Sequence, residues 1–478
     1  MMNGKDFWKG IGLVCLLLLG VETSAQEVRT PMEPGDLNRS FWTLSIQDAD
    51  SGEELVGIRS HHLMTPASTM KLVSTATLWS QKGGVGRIPT EIKTNGSVVN
   101  GRVEGDIYII GHGDPSIGSR YFWNKDQDTF FKLVVQKLRE KGISAISGNI
   151  IALLPKSDFQ ANNPKWLAYD MGNAYAAGLW DLNAHDNSYS IHFTDYGKSF
   201  YVEPEIPDFK LSKMYERTNT RSRDSIYISP FVLPDGSYAI TGAYPANVPK
   251  LLVRGAIPNP PLFIAHRLRS FLMKQGISVG GKATTAPSMD DSGVSLYTFE
   301  SPSLRELIEI TLFYSHNLFA EGMLRQVAID KSSLPGHNTT QTAIQVVNDY
   351  WKSRGMDVSE LEMMDGSGLS TQNRVSANFL ATMLGKVHRA DKGNGYMYLL
   401  PRAGIDGTLT IFLKNTPLQG KAYLKSGTLR NVVCYAGYVQ LDGKTYTVAL
   451  MVNNFYGSAS TIRKAMEQVL LDSFGLKY

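Results

Sequence analysis

The sequence predicts an α+β protein in which both ends of the chain build one domain and the middle forms a large β-rich insertion. Three observations lead there. Strand-like runs lie near both ends, at 41–46 and 55–58, and again at 422–425, 432–440 and 446–452. Helical apolar spacing adjoins these runs, after residue 65, from residue 303 and over 460–474. The stretch 86–295 differs in character, with Asn100-Gly101 and Glu104-Gly105 turns dividing β-rich segments. The domain is therefore expected to comprise 26–85 and 296–478, interrupted by an insertion of two subdomains over 86–295.

The first element is a targeting segment. Lys5 and Lys9 give a basic start, 11–19 is apolar, and Thr23 and Ala25 are small, the pattern of a secretory signal peptide (1–25) cut after Ala25. The apolar run is well short of the roughly 20 residues that span a bilayer. Cys15 lies inside that run rather than at a cleavage point, a poor place for a lipid anchor. Without 1–25, Cys434 is the one cysteine left, so the exported fold must be held by its core and not by a disulfide within the chain. About 450 mature residues exceed one core and call for two or three domains. The net charge of +4 is too mild for a nucleic-acid partner, and no basic run supports one.

The elements follow in order. Residues 41–46 and 55–58, around a Ser51-Gly52 turn, read as a hairpin, and Thr65-Pro66-Ala67 opens a helix that runs to about Trp79. In the insertion, strands end with 107–110, a helix over 128–141 stops at Gly142, and a strand occupies 149–154. Residues 262–274 repeat the helix, stopping at Gly276 before another strand. Lys141-Gly142-Ile143-Ser144 resembles Gln275-Gly276-Ile277-Ser278, but a glycine helix stop before a strand explains both without a repeat. Residues 200–250, rich in Pro, Tyr and Ser, are irregular or strand-containing. Ser303-x-x-Glu306 is a capping-box pattern ahead of the stripe Leu304, Leu307, Ile308 and Leu312. Further helices are expected at 346–351 and 378–387. Asp442-Gly443 joins the last two strands, and the segment 460–474, with Ile462, Met466, Val469 and Leu470 on one face, reads as a core-facing helix rather than a membrane anchor.

Three short motifs carry the chemistry. Ser68-Thr69-Met70-Lys71 is the one Ser-x-x-Lys of the chain. A serine hydroxyl needs a base to become a nucleophile, and residues three apart share a helix face, so the Lys71 amine can reach Ser68. That amine must be neutral, against a free pKa near 10.4; burial and a cationic neighbour, for which Lys425 is the candidate, would both lower it. Ser315-His316-Asn317 follows apolar Leu312-Phe313-Tyr314 on a loop between helices. There Ser315 can relay a proton toward a leaving group, and Asn317 can hold a substrate amide and the Lys71 amine. Lys425-Ser426-Gly427-Thr428 ends a strand whose edge can align a peptide. Lys425, Ser426 and Thr428 can bind a terminal carboxylate, Gly427 clears space for substrate, and the N–H groups of Ser68 and Thr428 can form an oxyanion hole. Each motif alone has a bland alternative: a chance surface spacing, a polar bend in a helical hairpin, and a strand-to-turn signal.

Taken together, in this order and with a long gap after Lys71, the motifs resemble those of the D-alanyl-D-alanine carboxypeptidase/endopeptidase family, the class C low-molecular-mass penicillin-binding proteins. Gly111-His112-Gly113-Asp114-Pro115 is similar to that family's Gly-x-Gly-Asp-Pro, and Asp365-Gly366-Ser367-Gly368-Leu369-Ser370 to its Asp-Gly-Ser-Gly-Leu-Ser. The run from Leu400 to Leu409 resembles its Leu-Pro-x-Ala-Gly-x-Asp-Gly-(Ser/Thr)-Leu, and Trp166 through Asn187 its Trp-rich, Asp-containing stretch. The resemblance implies a penicillin-binding-protein/β-lactamase-like transpeptidase domain, an antiparallel sheet flanked by helices, with the insertion between the first two motifs. It also implies that Ser68 is acylated by peptidoglycan stem peptides ending in D-Ala-D-Ala, or by β-lactams as inhibitors, with Lys71 as base and no metal or organic cofactor. Location in the periplasm fits the signal peptide. Two departures stand out: Ser426 where threonine is usual, which keeps the hydroxyl, and His316 at a middle position usually small or polar. His316 is expected to face solvent; placed otherwise, it adds a pH-dependent term near pH 6–7.

Other readings fare worse. Gly276-x-Ser278-x-Gly280 fits a hydrolase elbow, but that turn runs from strand to helix and here the order is reversed. His61-His62 stands in a loop without His-Glu-x-x-His, so no metal site is expected. A β-lactamase of the same fold would carry a water-activating Glu-x-x-Leu-Asn or a Tyr-x-Asn, and neither is found. A non-catalytic wall-peptide binding protein is the rival from another class; such relatives tend to lose the serine or the lysine, and this chain keeps both.

Overall fold

The strands expected at the two ends of the chain meet in one five-stranded antiparallel sheet. The computed structural model describes residues 28–122, 126–154, 161–219, 226–289, 293–329, 339–391 and 395–477. The expected signal peptide lies outside the described residues. Strands β1 (Phe41–Asp48) and β2 (Glu54–Ile58) form the N-terminal hairpin, and β3 (Ala422–Leu429), β4 (Val432–Leu441) and β5 (Lys444–Asn453) complete the order β2-β1-β5-β4-β3. Phe41 pairs with Asn453 and Asp48 with Tyr446, so the ends of the chain are stitched together across the insertion. Strand β3 continues to Leu429, four residues past the expected end at Lys425. Its ladder with β4 runs unbroken through Gly427 opposite Cys434. Gly427 is accommodated inside the sheet.

Both faces of the sheet are buried, which is why its central strands read as nearly continuous apolar runs. Successive side chains alternate faces. Cys434, Ala436 and Tyr438 of β4 join a core with α1 (Lys71–Lys82), α2 (Leu304–Phe313), α3 (Asn317–Val327), α4 (Thr339–Lys352) and α5 (Ala377–Ala390). Val433, Tyr435 and Val439 face the other way, onto Ile462, Met466, Val469 and Leu470 of α6 (Ala459–Ser473). Ser303 caps α2 as its pattern predicts: its hydroxyl accepts from the Glu306 N–H at 3.3 Å, and the Glu306 carboxylate accepts from the Ser303 N–H at 2.8 Å. Among the described residues no helix is long and apolar enough to cross a membrane.

The chain leaves this domain through strand Pro89–Thr94 and returns through Val294–Glu300, which pair with each other. Between them lie a five-stranded and a four-stranded sheet with helices Thr129–Glu140 and Pro260–Lys274, and two three-stranded sheets that hold all the strands from Ser188 to Ala256. The segment 200–250 is thus strand-containing. The two look-alike segments sit side by side: Ser278 pairs with Ala145 in parallel, and the Ser278 N–H donates to the Ser144 carbonyl at 3.1 Å. Gly142 and Gly276, at φ 73° and 82°, take the left-handed stop after each helix. One continuous apolar core runs through the insertion.

Candidate active site

Ser68 sits on a 3-10 turn, Ala67–Met70, that leads directly into α1, so Lys71 is the first α-helical residue. Ala67 holds a left-handed φ of 47°, a costly conformation for a residue with a Cβ. The turn is clamped from the sheet: Asn453 accepts from the Thr65 N–H at 2.8 Å and donates to the Thr65 carbonyl at 3.1 Å. Observed strain just before the candidate nucleophile is a mark of a functional turn.

Lys71 is fully buried. Its Nζ lies 2.8 Å from Ser68 Oγ, 2.7 Å from Asn317 Oδ1 and 2.6 Å from the Ser367 carbonyl. Burial pushes its pKa down to about 7, while the charges of Asp365 and Glu321 pull it back up. The amine is therefore poised to exist as a neutral base near neutral pH. Lys425, the expected cationic neighbour, is itself depressed, by its own burial first and by Lys71 second.

Asn317 begins α3, and Ser315 stands two residues earlier with a left-handed φ of 60°. Lys425 Nζ reaches Ser315 Oγ at 2.9 Å and the Ser426 carbonyl at 2.7 Å. Ser426 Oγ is 2.8 Å from Thr408 Oγ1, which brings the Asp406-Gly407-Thr408-Leu409 segment to the site. Gly427 is also required by the packing of the strand itself. A Cβ there would lie 2.6 Å from the Pro66 carbonyl and 3.0 Å from the Ser68 nitrogen, so the glycine lets β3 touch the Ser68 turn. Gly427→Ala is expected to push β3 away and cut acylation by about 100-fold, since small misplacements are costly; acylation within threefold of wild type would contradict this. Thr428 is exposed on the same strand, at the mouth of the cavity that Ser68 lines.

His316 does not face solvent. Its side chain is 12 % exposed, edge-on to Tyr121 and Phe319 at ring separations of 5.2 and 4.9 Å. The insertion supplies Tyr121, which folds over the second motif and hides a residue that a local reading leaves in water. Burial lowers the His316 pKa to about 4, so the term near pH 6–7 is absent. The His316 ring is expected to show a flat NMR titration from pH 5.5 to 8; a midpoint between 6 and 7 would contradict the packing.

Sequence reasoning gave no role to the loop that holds Lys71 from behind. Asp365 is fully buried and accepts from the N–H groups of Gly368 and Ser370 at 2.7 and 2.6 Å, from Asn373 at 2.9 Å and from Trp166 at 2.8 Å. Glu321, one turn after Asn317 on α3, accepts from the N–H groups of Gly366 and Ser367 at 3.1 and 2.9 Å. Two carboxylates thus fix the loop whose Ser367 carbonyl receives the lysine. The Asp-Gly-Ser-Gly run and the i, i+4 spacing from Asn317 to Glu321 were the available signals. Gly111 to Pro115 anchors the insertion: Gln326 of α3 donates to the His112 carbonyl at 3.0 Å, and Asn183 to the Asp114 carbonyl at 3.1 Å.

Ser68 opens onto a cavity of about 580 Å³ whose lining includes Leu167, Tyr169, Asp170, Leu369 and Arg430. A second cavity, of about 600 Å³, is lined by Ser315 and His316 and lies against the insertion. Tyr175 and Asn317 line both, and Asn317 Nδ2 donates to the Tyr175 carbonyl at 2.7 Å.

With this geometry in view, the comparison with known families is decisive: the model of the D-Ala-D-Ala carboxypeptidase 3 (S13) family matches residues 24–472. The chain belongs to that family. A D-alanyl-D-alanine carboxypeptidase from Actinomadura sp. (strain R39) is 24% identical over 450 residues, covering 91% of this chain and 81% of the relative. D-alanyl-D-alanine carboxypeptidase DacB of Haemophilus influenzae is 22% identical over 384 residues, 79% of this chain and 77% of its own. Among solved structures, penicillin binding protein 4 from Haemophilus influenzae superposes with a TM-score of 0.77 at 20% identity, covering 93% of this chain and 98% of that one. A second structure of that protein, complexed with a novel β-lactam, gives 0.74. These structures establish the S13 member's fold as penicillin-binding-protein-like.

Proposed function

We propose that this S13 family member is a serine DD-peptidase that cleaves peptidoglycan stem peptides ending in D-Ala-D-Ala through an acyl-enzyme on Ser68. The observation that carries the reading is the Lys71 amine, buried, depressed to about 7 and 2.8 Å from Ser68 Oγ. Neutral Lys71 takes the Ser68 proton as Oγ adds to the carbonyl carbon, and the N–H groups of Ser68 and Thr428 receive the oxyanion. The C–N bond then breaks. The proton passes to the departing D-alanine amine through Ser315, whose hydroxyl is held by Lys425 at 2.9 Å. Lys425, Ser426 and Thr428 receive the terminal carboxylate. Water, deprotonated by Lys71, releases the shortened peptide and restores Ser68. Asn317 supports the reading by holding Lys71 with its Oδ1 and by lining the cavity that Ser68 lines. Relatives named for this activity, and a structural neighbour solved with a β-lactam, support the substrate and inhibitor classes. The signal pattern at 1–25 supports export across the inner membrane, to the periplasm.

The test is release of D-alanine from a stem pentapeptide by the mature chain, followed by a coupled D-amino-acid oxidase assay. Release that a β-lactam blocks is expected. No release, with the protein folded, would overturn the activity.

A further inference from the structure

One bulky side chain of the insertion is buried away from every apolar core. In the stretch 163–169, Pro164, Lys165, Leu167, Ala168 and Tyr169 are exposed, yet Trp166 is only 5 % exposed. It belongs to none of the three apolar cores that the described residues form. Among the described residues its indole N–H makes one hydrogen bond, to Asp365 Oδ2 at 2.8 Å. A buried indole needs a partner for its N–H, and the partner here is a fully buried carboxylate.

Asp365 receives two donors on each oxygen. The Gly368 N–H and Asn373 Nδ2 meet Oδ1 at 2.7 and 2.9 Å; the Ser370 N–H and Trp166 meet Oδ2 at 2.6 and 2.8 Å. Three of these donors lie within eight residues of Asp365 in the chain. Trp166 comes from the insertion, 199 positions away. Two further bonds close the same seam: Asn163 Nδ2 donates to the Met364 carbonyl at 2.6 Å, and Ser370 Oγ to the Lys165 carbonyl at 3.0 Å. The stretch then continues into Leu167, Tyr169 and Asp170, which line the Ser68 cavity.

The loop so held touches both catalytic groups. Gly368, at a left-handed φ of 78°, packs so tightly on the Ala67 carbonyl that a Cβ has no room there. Ala67 is the residue just before the nucleophile. The Ser367 carbonyl takes the Lys71 amine at 2.6 Å. The Asp365 charge also acts on Lys71 through space, in the sense that favours its proton. A donor aimed at a carboxylate offsets part of that charge. The Trp166 N–H therefore weakens the hold of Asp365 on the lysine's proton, and it does so from the insertion.

We propose that Trp166 is a positioning residue through which the insertion tunes the base: its N–H completes the donor set of Asp365, which keeps the Ser367 carbonyl on the Lys71 amine and moderates the negative charge facing it. The inference rests on the reading of Lys71 as the base of a serine peptidase and deepens it. The bonds made and broken at Ser68 are unchanged. Glu321, Lys425 and His316 are the other titratable groups that act on Lys71 or feel its charge. Among the described residues the indole hydrogen-bonds to none of them.

The test is the pH profile of acylation by a chromogenic β-lactam in wild type, Trp166→Phe and Asn163→Ala, each beside a thermal melt. Trp166→Phe removes the N–H and keeps an aromatic ring. Its acid limb is expected to move up by about half a pH unit, the scale of one lost dipole acting through a carboxylate. Its limiting rate at high pH is expected to fall by about tenfold as the Ser367 carbonyl loosens. Asn163→Ala cuts the same seam without touching the carboxylate, and its limb is expected to stay in place whatever its melting temperature. Should Trp166→Phe fail to fold, benzothienylalanine at 166, which keeps the bicyclic ring without the N–H, carries the same comparison. A limb that stays or moves down without the N–H overturns the proposal, as does an unchanged limiting rate or an equal shift in Asn163→Ala. Those results leave the peptidase reading standing. Wild type that is not acylated, or is acylated at a rate that does not change with pH through about 7, overturns both.

Discussion

Ser68→Ala is expected to abolish covalent acylation by a β-lactam, and D-alanine release with it, by at least roughly 10⁴-fold. Ser68 is half-buried on a turn whose position is set by Asn453 and by the contact with Gly427. Removing its hydroxyl takes away the attacking atom and one hydrogen bond to Lys71. The Lys71 amine keeps Asn317 and the Ser367 carbonyl, so the melting temperature should stay within about 3 °C, the effect of less than 1 kcal/mol. Stopped-flow acylation by a chromogenic β-lactam beside a thermal melt checks both halves. Acylation at an unchanged rate would remove Ser68 as nucleophile.

Lys71→Ala is expected to be nearly as damaging at pH 7, by roughly 10³–10⁴-fold, because among the described residues no other side chain hydrogen-bonded to Ser68 can take its proton. Recovery at high pH should be partial at most, since hydroxide lacks the amine's placement. The wild-type profile gives a second handle. The buried amine, at about 7, must be neutral, so acylation is expected to rise with pH through about 7 and to fall below it as Lys71 takes a proton. The sign for stability follows from the same shift. Between about 7 and the free value near 10.4 the unfolded chain binds the extra proton, so this residue's contribution rises with pH across that window.

Glu321 offers a finer test of the loop behind the lysine. Its charge raises the Lys71 pKa, and its own is raised to about 7 by burial and by Asp365. Such groups titrate together. Glu321→Gln is expected to move the acid limb of the acylation profile to lower pH, with the amide still able to accept from the Gly366 or Ser367 N–H. A limb that stays in place or moves up would show that Glu321 does not act on Lys71.

Much of this was legible from short-range pattern. A serine and a lysine three apart need only one helical turn to meet, and the capping box at Ser303 and the glycine stops at 142 and 276 are local signals that the fold obeys. The apolar run of β4 and the hairpin at Asp442-Gly443 are local too. The misreadings came from distant contacts. Strand β3 runs past its expected end at Lys425, and nothing nearby in sequence reveals that the Pro66 carbonyl lies against Gly427. His316 looked exposed because Tyr121, which covers it, is nearly two hundred residues away in the chain. Glu321, Ser367 and Thr408 escaped notice as site residues because each acts through a contact made only in the folded chain: with backbone N–H groups, by a backbone carbonyl, or with the hydroxyl of Ser426.

Formation of an acyl-enzyme on Ser68 with Lys71 as base is read out by intact-protein mass after incubating the mature chain with penicillin, followed by peptide mapping. One adduct of the mass of the drug is expected, located on the peptide that carries Ser68 and forming more slowly at pH 5.5 than at pH 8. An adduct on another residue, or unchanged protein and unchanged penicillin, would contradict it.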